Sequence, residues 1–236
     1  MNKITIDLEL PQEPGGLQTA YIQKALDACR DAGGGQVNLG NGLWPIGSVR
    51  MYSNTTLHLS AETKLVASED IRDYENFHVP STLGYLKSPF VVEAWNLPEH
   101  YIMAPIVAFD AENVAVIGEP GSVIDGSDCF DPAGEEKFRG PMGMVCSKCR
   151  GVTLKGYTYQ NAANWAHQLD SCSGVRMENV TVLAGHDGIN IHHCVGVTIE
   201  NCDFRTGDLL PVCVRTCNAC CNHGGNWPWR KDGCII

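Results

Sequence analysis

The sequence has no long hydrophobic run and no stretch that could form the apolar core of a signal peptide. No segment of the 236-residue chain approaches the roughly 20 apolar residues of a membrane-spanning helix. The N-terminal residues MNKITIDLELPQEPGG carry charges at Lys3, Asp7 and Glu9, where a signal peptide needs about 7 to 15 consecutive apolar residues. These absences predict a chain that neither enters a membrane nor is exported, and they favour a cytoplasmic location.

Basic residues are also scarce. Lysine and arginine number 17 against 27 aspartates and glutamates, so the formal net charge is −10, and the basic residues form no dense run. A surface of this sign repels nucleic acid and anionic lipid, and neither is predicted as a partner. A polyanionic ligand would have to be attracted by a few locally placed cations.

Cysteine, by contrast, is abundant, with 12 residues. In a short secreted chain this number would indicate a disulfide framework, but without a signal peptide we predict reduced thiols. Cys146 and Cys149 form a C-x-x-C that looks like half of a zinc site, yet no second pair follows at zinc-finger spacing. We therefore predict neither a metal nor a cofactor.

The first part of the chain predicts one helix followed by short strands. A helix is expected over residues 19–32, because apolar residues recur there at helical spacing, at Ile22, Ala25, Leu26 and Cys29. The three glycines at 33–35 tolerate positive φ and end the helix. The β-rich runs that follow are separated by turn residues and cover 36–39, 53–59 and 64–67.

An internal repeat begins near residue 109. In each copy a turn ending in glycine or asparagine is followed by valine, a polar residue and an aliphatic residue, and the aligned valines are Val114, Val152, Val175 and Val197. The last two intervals are 23 and 22 residues. Leucine-rich repeats have similar periods, but no L-x-x-L-x-L pattern recurs and each unit holds more than one β-rich run. Stacked coils of a parallel β-helix explain the pattern better.

The same period places three cysteines. Cys149, Cys172 and Cys194 each lie three residues before an aligned valine, so they are expected to stack in one interior column. A free cysteine packs in such a place as a small hydrophobic residue.

Two aspartates lie about one coil apart near the end of the repeats. Asp187 and Asp208 each adjoin a glycine and are 21 residues apart, so their carboxyl groups are expected on one face of the solenoid. Neighbouring carboxylates are what glycoside hydrolysis uses, one as proton donor and one as base or nucleophile. The alternative is that Asp-Gly and Gly-Asp are ordinary turn dipeptides.

Several segments together resemble glycoside hydrolase family 28, the polygalacturonase-like enzymes of the pectin lyase-like β-helix superfamily. The resemblance runs in order from about residue 15 to 208 and rests on four segments: GGGQVNL near residue 35, SNTTLHL near 55, VAVIG to VIDG across 114–126, and NWAH from 164. It implies an all-β fold, a right-handed single-stranded parallel β-helix with a short N-terminal capping helix.

The resemblance also implies roles for the aspartates. Gly185-His186-Asp187-Gly188 stands at the family's Asn-Thr-Asp-Gly motif, so Asp187 corresponds to an aspartate that positions the attacking water. Asp208, in the position of the Gly-Asp-Asp motif, corresponds to the general acid. Leu209 stands where the second base is expected, and leucine cannot accept a proton. His186 is the candidate substrate-binding residue because it adjoins Asp187.

The chain departs from the family pattern after residue 208. We expect a β-helix domain over 1–208 that is incomplete, and an aberrant cysteine-rich tail over 209–236, as in a truncated or frame-shifted product. A zinc knuckle in the tail is conceivable, but the spacing of its candidate ligands matches no established pattern; they are Cys213, Cys217, Cys220, Cys221, His223 and Cys234.

Three functions remain open from the sequence. The leading one is inverting acid/base hydrolysis of α-galacturonosyl-type linkages, with pectic polysaccharide or oligogalacturonide as the partner and with impaired turnover because of Leu209. The second is a calcium-dependent polysaccharide lyase of the same fold. The third is an inactive or carbohydrate-binding β-helix fragment. The sequence indicates neither endo nor exo action, nor an oligomeric state.

Overall fold

The strands of the protein form three parallel sheets wound around one hydrophobic core. The computed structural model describes residues 3–11, 15–94, 97, 101–183 and 185–207, and the backbone of 212–214 and 218–220. Its strands, numbered β1 to β20 in chain order, divide among sheets A, B and C. Sheet A has eight strands: β1 (Ile4–Leu8), β2 (Gly35–Leu39), β5 (Thr55–Leu59), β8 (Glu112–Gly118), β11 (Arg150–Lys155), β14 (Ser173–Glu178), β17 (Val195–Glu200) and β20 (Asn218–Cys220).

Sheets B and C have six strands each. Sheet B contains β3 (Gly42–Ile46), β6 (Thr63–Ala67), β9 (Val123–Asp125), β12 (Thr158–Gln160), β15 (Thr181–Leu183) and β18 (Asp203–Arg205). Sheet C contains β4 (Val49–Met51), β7 (Ile106–Phe109), β10 (Met144–Ser147), β13 (His167–Asp170), β16 (Asn190–His192) and β19 (Val212–Val214). Each coil supplies one strand to A, then B, then C, and the right-handed parallel β-helix is confirmed.

The repeat valines mark the register of sheet A. Val114 pairs with Val152, Val152 with Val175, and Val175 with Val197. The residue before each valine has positive φ, between 53° and 70°, at Asn113, Gly151, Gly174 and Gly196. Asparagine and glycine are the residues that adopt this left-handed conformation most readily, which explains why the repeat requires one of them there.

The predicted cysteine column is confirmed. Cys149, Cys172 and Cys194 are all within 1% of complete burial, and the Cys172 amide donates to Cys194 Sγ at 3.3 Å. The thiol of Cys172 donates to the Cys146 carbonyl oxygen at 3.3 Å. The described cysteine side chains are all free thiols; they are Cys29, Cys129, Cys146, Cys149, Cys172, Cys194 and Cys202.

Single replacement of a column cysteine by alanine is expected to cost only about 1 to 2 kcal/mol of unfolding free energy, because a small apolar group is lost from a packed core. Denaturant titrations of Cys149→Ala, Cys172→Ala and Cys194→Ala would measure this cost. Thiol titration of the denatured parent protein should count all three as free. A disulfide between any two of them would contradict the prediction.

The helix predicted from apolar periodicity is present as α1 (Thr19–Asp31), with Ala32 as its C-cap. Its buried residues are those that the spacing indicated, Ile22, Ala25, Leu26 and Cys29. The helix lies against β1, β2 and β4, so it covers the first coil. The cap protects apolar surface and strand edges that would otherwise face solvent.

One long insertion was not predicted. Residues 68–105 connect β6 to β7 and contain two short 3-10 helices, Ile71–Asp73 and Gly84–Lys87, and the helix α2 (Pro89–Ala94). The insertion lies over the outer face of sheet C, where it packs on Val107 of β7 and Val145 of β10.

In the described part of the chain, no helix has the length and apolar character needed to cross a membrane.

Candidate active site

Three turns between sheet B and sheet C lie side by side at one edge of the solenoid. They are residues 126–143, 161–166 and 184–189, which connect β9 to β10, β12 to β13, and β15 to β16. Because consecutive coils are in register, these turns follow one another along the axis of the β-helix. Asp187 lies in the third turn.

Asp187 is held by contacts with its own coil and with the preceding coil. The side chain of Asn190 donates from Nδ2 to Asp187 Oδ2 at 3.0 Å. The Ala166 amide donates to the main-chain oxygen of Asp187 at 2.8 Å, which ties the turn to its neighbour. Asp187 is only 8% exposed. The arrangement gives a buried carboxylate whose orientation is fixed, as an acid or base in catalysis requires.

A buried histidine fixes the backbone immediately after Asp187. His167 Nδ1 lies 2.9 Å from the Gly188 carbonyl oxygen, which can only accept, so Nδ1 carries the proton and donates. His167 Nε2 therefore accepts from the Tyr157 hydroxyl at 2.9 Å. Gly188 tolerates no side chain, since a Cβ there would lie 2.3 Å from the Phe204 ring. Burial lowers the pKa of His167 to about 4.

This histidine is expected to make stability depend on pH. Its folded pKa of about 4 lies below the ordinary histidine pKa of 6.5, so on acidification the unfolded chain binds the proton first. The resulting stability is present above pH 6.5 and is lost as the pH falls towards 4, by up to about 3 kcal/mol. Denaturant unfolding between pH 7 and 4.5 should show a smaller decrease for His167→Gln than for the parent.

Tyr157→Phe is the matched control for this measurement. It removes the hydroxyl that donates to His167 Nε2 but leaves the imidazole to titrate, so the pH-dependent decrease should persist in this variant. Equal pH dependence in His167→Gln and the parent would contradict the assignment.

His186 lies at the rim of the same site. Its ring is half-buried and its centroid is 5.7 Å from that of Phe138, which belongs to the turn 126–143 and is 43% exposed. Arg139 lies beside Phe138 and pairs with Glu136 at 2.7 Å. The structure thus brings His186 next to Asp187 and beside an exposed aromatic ring. Its role in substrate binding stays a prediction.

A second buried carboxylate in the stacked turns was not identified from the sequence. Glu135 is 8% exposed, and Asn164 in the next turn donates from Nδ2 to Glu135 Oε2 at 3.0 Å. In the sequence, Glu135-Glu136-Lys137 has the appearance of a solvated charged loop. Only the neighbouring coil, which supplies Asn164, shows that Glu135 is buried among the stacked turns.

Asp170 is buried for a different reason. It is 2% exposed and accepts hydrogen bonds from Ser81 Oγ at 3.0 Å, from the Thr82 amide at 2.6 Å and from the Thr82 hydroxyl. These donors belong to the insertion 68–105, so the carboxylate of β13 anchors that insertion on sheet C. A carboxylate occupied in this way is structural.

Asp208 and Leu209 lie outside the described residues, as do the side chains of the cysteines and the histidine of the tail that were considered as zinc ligands. Backbone pairing is present on either side of residue 208: the Gly207 amide donates to the Gly185 oxygen at 2.9 Å, and Asn190 pairs with Val212. The division of the chain at residue 208 and the convergence of Asp187 with Asp208 remain predictions.

Within the described residues, no three acidic, histidine or cysteine side chains form a group that could hold a metal ion.

Comparison with known proteins shows that the chain is similar to polygalacturonases in sequence and in fold. A curated protein of Vitis vinifera named "Probable polygalacturonase" is 24% identical over 185 residues, which cover 75% of this chain and 36% of the relative. A hyperthermoactive exopolygalacturonase of Thermotoga maritima has a solved structure that is 19% identical, with a TM-score of 0.69, covering 90% of this chain and 56% of that one. The polygalacturonase of Erwinia carotovora ssp. carotovora is 17% identical, with a TM-score of 0.58, covering 89% and 67%.

The three stacked parallel sheets place the chain in the class of right-handed parallel β-helix proteins. The family model described as glycosyl hydrolases family 28 matches residues 88–215, more than half of the chain, and the chain belongs to this family. The matched range includes Asp187, Asp208 and the three stacked turns. The chain spans about a third of the length of the curated relative that it matches.

Proposed function

We propose that the chain is a glycoside hydrolase that cleaves α-galacturonosyl-type linkages of pectin or oligogalacturonides, with inversion at the anomeric carbon. The observation that carries the proposal is the buried carboxylate of Asp187, fixed by Asn190 and Ala166 within the range matched by the family model. The names of the relatives support galacturonan as the substrate class.

In the proposed reaction Asp187 accepts a proton from water as the water oxygen attacks the anomeric carbon. Asp208 donates its proton to the glycosidic oxygen as the bond to the anomeric carbon breaks. An inverting pair of carboxyl groups needs a separation of roughly 6.5 to 9.5 Å to admit that water. His186 and Phe138 border the site, where the ring of Phe138 offers an apolar surface to a sugar ring.

The proposal is tested by the products released from polygalacturonate. We expect new reducing ends without the ultraviolet absorbance of unsaturated uronides, and no loss of activity in chelator. Unsaturated products that disappear in chelator would instead indicate the calcium-dependent lyase. Calorimetric binding of oligogalacturonide without any turnover would indicate the carbohydrate-binding fragment, which Leu209 favours.

Turnover is expected to be slow, well below the order of 10 per second that is ordinary for enzymes. Leucine at position 209 cannot act as a base, and a general acid or base typically contributes about 10² to 10⁴-fold. Leu209→Asp should raise the rate of reducing-end release without restoring an ordinary turnover, because substrate orientation also contributes. An unmodified chain with ordinary turnover would contradict this prediction.

The expected cytoplasmic location stays a prediction that cell fractionation would test.

A further inference from the structure

A cavity lies near the N-terminal end of the solenoid, at the corner where sheet C leads into sheet A. Its volume is about 260 Å³, and the side chains that line it include Arg30 of α1, Arg50 of β4, Tyr52, Phe109 of β7 and Asp110. The cavity is open to solvent on one side and is somewhat smaller than the roughly 300 Å³ at which drug-sized ligand sites begin. Its size suits a single sugar ring.

Arg50 is the unusual residue of this cavity. Its guanidinium carbon lies 3.8 Å from the centroid of the Phe109 ring and 5.3 Å from that of Tyr52. Among the residues that the structure describes, the guanidinium makes no ion pair and no hydrogen bond, and its Nε is buried without a partner. A buried donor of this kind is costly unless something accepts from it.

The other arginines of the described ranges all form ion pairs. Each of them pairs with at least one carboxylate; they are Arg30, Arg72, Arg139, Arg150, Arg176 and Arg205. In a chain with a formal charge of −10, carboxylates are plentiful. An arginine that is left without one, in a cavity, is suited to an anion from outside the chain.

The walls of the cavity are fixed before any ligand arrives. Gln23 of α1 accepts from the Arg50 amide at 2.7 Å and donates to the Arg50 carbonyl oxygen at 3.2 Å, which anchors β4 on the capping helix. The Tyr52 hydroxyl donates to Asp27 at 2.8 Å, which holds the aromatic wall. A preformed wall reduces the entropy lost on binding.

We propose that this cavity binds a carboxylate carried on a hydroxylated, sugar-sized ring, such as a uronic acid. The planar guanidinium of Arg50 matches the two oxygens of a carboxylate. Asp110 also lines the cavity, where it can accept hydrogen bonds from ring hydroxyls but repels a second negative charge. The other lining arginine, Arg30, already pairs with Asp27 and Asp31, so its charge is largely compensated. This combination favours a singly charged sugar acid over phosphate or a simple organic anion.

The cavity is separate from the site around Asp187. Arg50 is aligned with Val107, Val145, Gln168 and Asn190 across sheet C, so four strand spacings, about 19 Å, separate it from Asn190. The insertion 68–105 covers Val107 and Val145 between them. The inference rests on the proposed function only for the choice of a uronate as the probe. Its test measures binding and needs no turnover, so a failure of this inference can be distinguished from a failure of the proposed function.

The test is NMR titration of the full chain, observing the Nε–H signal of Arg50, with sodium galacturonate, galactose and sodium acetate as probes. We expect galacturonate to shift the Arg50 signal with a dissociation constant at least tenfold lower than that of either galactose or acetate. The source of the carboxylate is then distinguished by comparing the monosaccharide with a galacturonate trimer. Stronger binding of the trimer would indicate that the cavity binds one residue within a longer saccharide chain.

Two variants of Arg50 and one control variant complete the test. Arg50→Gln should weaken galacturonate binding at least tenfold, and Arg50→Lys should weaken it less because the charge remains. In both variants binding is measured from the backbone amide signals of Asn54 and Asp110. Arg176→Gln is the matched control, since Arg176 is exposed and already pairs with Glu178 and Glu200, and it should leave binding unchanged. An Arg50 signal that galacturonate leaves in place, or that acetate shifts equally well, would overturn the proposal.

Discussion

Asp187→Asn is expected to lower the rate of reducing-end release from polygalacturonate by at least about 100-fold, because a general base typically contributes about 10² to 10⁴-fold. The substitution keeps the shape of the side chain and an oxygen that can accept from Asn190 Nδ2, so the turn should stay in place. Initial rates at saturating substrate and the free energy of unfolding should be measured together.

Asp203→Asn is the control for this prediction. Asp203 lies one coil further along on β18, pairs with Arg205 at 2.6 Å, and has a side chain that is 46% exposed. Removing its charge should change neither the rate nor, by more than about 0.5 kcal/mol, the stability. If Asp187→Asn kept the parent rate while folding normally, Asp187 would have no role in catalysis.

Leu154→Ala should reduce the free energy of unfolding by about 2 to 5 kcal/mol, because it leaves a cavity in the core of the solenoid. Leu154 of β11 is 1% exposed and is aligned with Val116 of β8 and Met177 of β14. The adjacent Thr153 points away from the core, since successive side chains of a strand alternate. Thr153→Ala should therefore cost less than about 1 kcal/mol in the same denaturant titration.

Similar losses for the two variants would contradict the alternation along β11. The comparison is well matched because both side chains belong to one central strand with parallel neighbours on each side. Any difference between them then reflects the direction in which each side chain points.

The sequence was most informative where residues of one type recur at a regular spacing. The helix α1 followed from apolar residues at a spacing near 3.6, and the register of sheet A followed from valines 22 to 23 residues apart. The cysteine column followed from the same register. The register of sheet A and the cysteine column are repeated in successive coils, so each copy supports the interpretation of the next.

The insertion 68–105 could not be predicted in this way, because its apolar residues follow no repeat and bury themselves only against the distant strands β7 and β10. The residues of the candidate site came from two kinds of observation. Asp187 and His186 were identified from a motif, whereas Glu135 and His167 acquire their roles from neighbouring coils. Short-range patterns carry no information on such contacts.

The anchoring of the insertion on Asp170 has a consequence for how the molecule unfolds. In a simple solenoid each coil contacts only its neighbours, so opening can start at an end and spread coil by coil. Here Ser81 and Thr82 link the connection after β6 to β13, and so bypass the coil that contains β10. Coils bridged in this way should open as one cooperative unit, with amide hydrogens of β7, β10 and β13 exchanging at a common rate.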